Sequence, residues 1–319
     1  MDEELYDLLA SMAAAGRRPV SDGTPQQARD QLAARRQGPS RGLHGIYDCT
    51  ATAGGCSVPV RIYNPEPNPV GVIVYVHGGG WVIGNIESFD NVARDLAYHG
   101  GARVVSVDYG LAPENPFPSA LNEVQAAIQW AAAEFPGEPL VVAGDSAGGN
   151  LATVAVRKLR QQGVVNVAGQ ALIYPVTDSD FSRSSYQEIP PVPTLLSRQE
   201  MEWFWNHYLP DSTLRTHPDV APLHAESLND LPFTILVLAG YDPLRDEGLA
   251  YAKELRSHGV PVDLRMYEGL CHGFFGLAQF VSQAQDALRD TAVAIGNLLR
   301  TGRVHHAQNG LTSFENSVK

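Results

Sequence analysis

The stretch Leu140-Val141-Val142-Ala143-Gly144-Asp145-Ser146-Ala147-Gly148-Gly149-Asn150 decides the fold. Four apolar residues run directly into Gly-x-Ser-x-Gly, and a helical pattern follows over 147–161. A serine between a buried strand and a helix must sit on a sharp, strained turn. Bulky residues two places before and after it would collide with the strand and the helix, and Gly144 and Gly148 remove those collisions. Asp145 and Ala147 fill the variable places. Alone, the pattern arises readily by chance in a chain with 30 glycines. The competing reading is a Gly-rich turn with a solvent-facing serine. The surrounding sequence separates the two.

Outward from this point, short Val/Ile-rich runs alternate with amphipathic stretches. The runs cover 70–76, 102–108, 140–143, 170–175, 234–239 and 262–267, and the stretches 89–99, 120–135, 147–161, 244–258 and 278–299. Near-continuous hydrophobicity at this length suits strands covered on both faces. The alternation implies right-handed crossovers and an α/β, mostly parallel, doubly wound sheet. Residues 46–52 and 58–63 flank Ala53-Gly54-Gly55 and predict an antiparallel hairpin on one edge.

Two segments fit neither pattern. Residues 1–44 read as two short helices, the second opened by a capping box of Thr24 and Gln27. Residues 177–215 interrupt the alternation with Ser/Pro-rich chain and then Met201-Glu202-Trp203-Phe204-Trp205-Asn206-His207-Tyr208. Such an insertion is placed to cover a site. The expected organisation is a catalytic domain over 45–176 and 216–302, a helical cap from 1–44 and 177–215, and a polar tail over 303–319.

His77-Gly78-Gly79-Gly80-Trp81 follows the run 70–76. Three consecutive glycines cost backbone entropy, so they make sense where N–H groups must turn toward a closely approaching substrate. That is the demand of an oxyanion hole, and Gly79, Gly80 and Ala147 are the expected donors. A phosphate loop does not fit, because neither G-x-G-x-x-G nor G-K-[ST] occurs here.

An activated serine needs a base, and the base an orienting acid. On an α/β sheet the order is Ser, then Asp or Glu, then His, each beyond a strand. Asp242 follows the run 234–239 in Gly240-Tyr241-Asp242-Pro243. His272 follows the run 262–267 in Gly269-Leu270-Cys271-His272-Gly273-Phe274. The competing acid Asp246 falls within the next helix. Among competing histidines, His99 and His258 end helices, while His207, His217 and His224 belong to the insertion or its exit. Ser146 is therefore the expected nucleophile, His272 the base and Asp242 the acid. Trp81, Phe181, Trp203, Phe204, Trp205 and Tyr208 either line a substrate pocket or hold the cap to the body.

Net charge is −12, with 35 acidic against 23 basic residues. Phosphate backbones would be repelled, so nucleic acid is not an expected partner. No apolar run reaches the roughly 18 residues of a membrane span, and Met1-Asp2-Glu3-Glu4 is no signal-peptide start. Cys49, Cys56 and Cys271 lack metal-site spacing and read as reduced, buried thiols of a cytoplasmic protein. No metal site is expected.

Taken together, His77-Gly78-Gly79-Gly80-Trp81, Asp108-Tyr109-Gly110-Leu111-Ala112-Pro113-Glu114, Gly144-Asp145-Ser146-Ala147-Gly148-Gly149-Asn150, Asp242-Pro243-Leu244-Arg245-Asp246-Glu247 and His272-Gly273-Phe274 resemble the hormone-sensitive-lipase-like bacterial carboxylesterases, within the α/β hydrolases. The resemblance spans about 70–275. It implies a cytoplasmic esterase acting on short- to medium-chain acyl esters without a cofactor, under a two-part cap. It also implies a homodimer through the edge strand near 262–267. Gly110 departs from the family, which carries arginine there. Lactone and arylamide or formamide hydrolysis would use the same triad. A non-catalytic receptor is the reading of another class, and plant members of that kind have lost the histidine that is kept here.

Overall fold

The computed structural model describes residues 1–35, 38, 40–188 and 190–301. The expected tail over 303–319 lies outside them. Eight strands form one sheet: β1 (Gly45–Ala53), β2 (Cys56–Asn64), β3 (Val72–Val76), β4 (Arg103–Val107), β5 (Leu140–Asp145), β6 (Gly169–Ile173), β7 (Phe233–Tyr241) and β8 (Val262–Cys271). Their order is β1-β2-β4-β3-β5-β6-β7-β8. The β1–β2 hairpin pairs antiparallel, β2 joins β4 antiparallel, and every later pairing is parallel. The chain thus adopts the α/β-hydrolase sheet with the hairpin on one edge.

Every residue of β3, β5 and β6 is buried, which is why these strands read as unbroken apolar runs. Helices α4 (Ser119–Glu134), α5 (Ala147–Gln161) and α7 (Arg245–Ser257) pack in one core layer. Helices α3 (Asp90–Gly100) and α8 (Ser282–Thr301) pack in the other.

The end of β8 departs from expectation. The strand runs on to Cys271 rather than stopping at 267, and a bulge between Ala239 and Tyr241 of β7 realigns the pair. A methyl group on Gly240 would lie 2.3 Å from the Glu268 carbonyl oxygen, so only glycine lets the two backbones meet there. Helix α8 begins at Ser282, four residues late, because Phe274–Leu277 winds as a 3₁₀ turn.

The two segments outside the alternation contact each other. Helices α1 (Glu3–Ala14) and α2 (Pro25–Ala33) form the first, and Thr24 and Gln27 make the reciprocal capping bonds at 3.3 and 2.9 Å. The second contains α6 (Arg198–Tyr208). Arg17 donates to the Thr194 and Leu195 carbonyls at 3.1 Å each, and Val20 N–H donates to Glu200 at 3.2 Å. The expectation of three buried thiols holds only for Cys271; Cys49 and Cys56 are half-buried because the edge hairpin is covered on one side only. All three are free, and Cys49 pairs across from Val60, Cys56 from Ala53.

Candidate active site

Loops at the carboxyl ends of β5, β7 and β8 converge on one point. Ser146 has φ +56°, a left-handed conformation that a serine holds only where its surroundings impose it. A methyl group on Gly144 would lie 2.4 Å from the Gly148 carbonyl oxygen, and one on Gly148 2.0 Å from that of Val76. These are the collisions that the glycine spacing avoids. Asp242 directly follows β7, and His272 directly follows β8. His272 Nε2 lies 2.9 Å from Ser146 Oγ, and its Nδ1 2.8 Å from Asp242 Oδ2. Asp242 Oδ1 accepts Leu244 N–H at 2.8 Å, which holds the carboxylate in place. Because a carboxylate only accepts, Nδ1 carries the proton and Nε2 is free to take one from the hydroxyl. Ser146 and His272 are each 7% exposed. The arrangement can draw the hydroxyl proton onto Nε2 and so activate Oγ as a nucleophile.

The His77-Gly78-Gly79-Gly80-Trp81 loop leaves β3 and folds against this turn. Gly79 has φ +109°, and a methyl group there would lie 2.0 Å from the Ile83 carbonyl oxygen. Among the described residues, the amides of Gly79, Gly80 and Ala147 are engaged in no other hydrogen bond. His77 stacks between Phe89 and Tyr109, with ring centroids at 5.1 and 4.3 Å. Burial pushes its pKa down to about 4, so the ring is neutral, and Nδ1 donates to the Gly78 carbonyl at 2.7 Å. Asp145 is buried, and that burial pushes its carboxyl up to about 6.

Of the expected aromatics, Trp81, Trp203, Phe204, Trp205 and Tyr208 meet at the joint between α6 and the glycine loop, while Phe181 lies instead against Tyr186 at 5.3 Å. Trp81 stacks on Tyr208 at 4.2 Å and tilts against Trp205 at 4.9 Å, all three wholly buried. Trp203 is half-buried beside Phe204 and His207. The Phe204 ring lies so close to Gly80 that a methyl group there would come within 2.2 Å of it. Asp246 does not reach His272; it accepts Ser185 N–H at 2.8 Å and pairs with Arg245. His224 pairs with Asp178 and His258 with Glu254. At Gly110 the backbone N–H donates to Glu123 at 2.5 Å.

Two buried residues had no role assigned in the sequence reading. Tyr174, just past β6, has φ +35°. Its ring lies 4.7 Å from that of His272, and its hydroxyl accepts Phe275 N–H at 3.3 Å. An aromatic residue before Pro175 at a strand end was the available signal. Glu247 is wholly buried on α7 and accepts the Thr177 and Asp178 amides at 2.7 and 3.2 Å. Its signal was an acidic residue on the covered face of a helix.

A family model for the α/β-hydrolase fold matches residues 73–276. The chain belongs to that family. Within it, this α/β hydrolase is similar to enzymes named as ester hydrolases. It is 39% identical over 246 residues to the carboxylic ester hydrolase LipN of Mycobacterium tuberculosis, covering 73% of this chain and 65% of LipN. It is 34% identical over 247 residues to the ethyl acetate hydrolase of Pseudomonas putida, covering 74% of this chain and 77% of that one. A solved structure, the hyperthermophilic esterase of Pyrobaculum calidifontis, superposes with a TM-score of 0.85 at 32% identity, over 93% of this hydrolase and 98% of the archaeal chain. The group includes the hormone-sensitive-lipase-like esterases, so the resemblance drawn from the motifs holds. Among the described residues, no helix is long and apolar enough to cross a membrane.

Proposed function

We propose that this hydrolase is a serine carboxylesterase that cleaves short- to medium-chain acyl esters through an acyl-enzyme. The observation that carries the reading is the continuous hydrogen-bond chain from Ser146 through His272 to Asp242, beside three uncommitted amides. His272 takes the Ser146 proton as Oγ attacks the acyl carbon. The Gly79, Gly80 and Ala147 amides hold the oxygen that becomes negative, one such donor being worth about 2.7–4 kcal/mol. Asp242 stabilises the imidazolium. His272 then gives its proton to the leaving alcohol, and the acyl group stays on Oγ. Water, deprotonated by His272, attacks that acyl carbon, and collapse releases the acid and returns the proton to Ser146.

We group residues 1–44 and 177–215 as a cap over this site, a reading supported by the Arg17 and Glu200 contacts between them. Trp203 and Phe204 form the near wall of the substrate pocket, backed by Trp81, Trp205 and Tyr208. The name of the ethyl acetate hydrolase relative favours short acyl groups. Three free cysteines suit a reducing cytoplasm.

The test is turnover of p-nitrophenyl esters from acetate to palmitate by wild type and Ser146→Ala, with a lactone and an aryl amide alongside. Wild type should prefer the short and middle esters, and the variant should lose at least about 10⁴-fold. Equal, slow release by both proteins would leave a binding protein instead. Faster turnover of the lactone or amide would replace the ester.

A further inference from the structure

We propose that Asp145 is a positioning residue that fixes the oxyanion-binding loop relative to the nucleophile, a role that rests on the esterase reading above. One oxygen makes the link. Asp145 Oδ1 accepts Gly78 N–H at 2.9 Å and the Tyr75 hydroxyl at 2.7 Å. Asp145 is the last residue of β5 and precedes Ser146; Gly78 precedes the donor Gly79.

The adjacent strands β3 and β5 pair in parallel as far as Val76 and Gly144. Beyond that pair the ladder stops, and the two chains turn away as glycine loop and nucleophile turn. The carboxylate is the next bridge between them. Its fit is tight: a methyl group on Gly78 would lie 2.4 Å from Asp145 Oδ2. Tyr75 is itself wholly buried, so its hydroxyl holds the carboxylate from the sheet side. Burying a carboxylate among neutral donors is costly, and strand pairing does not require it. The same contact gives the loop a fixed distance from the serine.

Without the acceptor, Gly78 N–H is left buried and unpaired, and the loop can drift. A displacement of about 1 Å in a catalytic group costs on the order of 100-fold in rate. Substrate binding in the ground state, made against the cap, should change little.

The test compares Asp145→Ala, Asp145→Asn and Tyr75→Phe in the full chain. It measures kcat and KM on p-nitrophenyl butyrate, and Ki for a butyl trifluoromethyl ketone, which captures Ser146 as a hemiketal oxyanion. For Asp145→Ala, kcat should fall about 10- to 100-fold with KM within about twofold, and Ki should weaken by the same factor. Asp145→Asn keeps an acceptor oxygen and should recover several-fold of both. Should the alanine variant fail to fold, Tyr75→Phe, which removes one hydroxyl, should show the same parallel loss of kcat and Ki at about 3- to 10-fold. A fall in kcat without a matching change in Ki overturns the proposal, as does a loss carried by KM, or an asparagine variant no better than alanine. Absence of Ser146-dependent turnover in wild type would instead sink the esterase reading itself.

Discussion

Glu247 is wholly buried on α7. Its partners are the Thr177 and Asp178 amides and the Tyr186 hydroxyl. Burial, with the neighbouring Asp178 adding to it, pushes the carboxyl from 4.5 up to about 8. The folded protein therefore binds this proton more tightly than the unfolded chain does. Below about pH 4.5 the group is neutral in both states and its favourable contribution is complete. As pH rises toward 8 the unfolded chain gives up the proton first, and stability drains away. Glu247→Gln carries no proton to lose. Urea unfolding between about pH 5 and 8 should show the variant gaining on wild type by roughly 3–4 kcal/mol across the window. A stability difference that stays constant with pH would mean that Glu247 is ionised in the fold.

Between elements, one seam joins the chain just past α1 to the segment before α6. Arg17 spans it with two charge-assisted bonds to the Thr194 and Leu195 carbonyls, and its side chain is only 13% exposed. Leu195 in turn lies against Gly273, next to His272. Arg17→Ala should cost about 1.5–3 kcal/mol of stability and, on the proposed cap and triad, raise KM more than it lowers kcat, because the cap segments loosen while Ser146, His272 and Asp242 stay in place. A kcat-only loss in steady-state kinetics would show that the seam acts on the chemistry instead. Elements like β3, β5 and β6 were legible in sequence because burial on both faces leaves only apolar residues. Asp242 and His272 were legible because each directly follows a strand. The Asp145–Gly78 bond was not, since it joins residues 67 apart through a side chain that the motif leaves variable. The final stretch of β8 was hidden for a related reason: Glu268-Gly269 reads as a turn until the β7 bulge supplies a partner.

On the scale of the whole molecule, the sheet ends at β1 on one side and β8 on the other. Open edges invite pairing and are normally covered or charged. The β1 edge is of the charged kind, with Asp48 held by Arg61 and Tyr47 exposed. On β8 the carbonyl of Gly269 is taken by Asp2 N–H, while no strand among the described residues pairs outside 262–267. Two copies related by a twofold axis could join these edges antiparallel and extend the sheet. Charge works against that union, because each chain carries −12, but salt screens the repulsion beyond about 10 Å at 0.1 M. If the proposed edge pairing forms, light scattering at micromolar concentration and moderate salt should give twice the 34.5 kDa chain mass. Lowering the salt should shift the population toward the monomer. A single-chain mass at every salt concentration would rule the edge out as an interface.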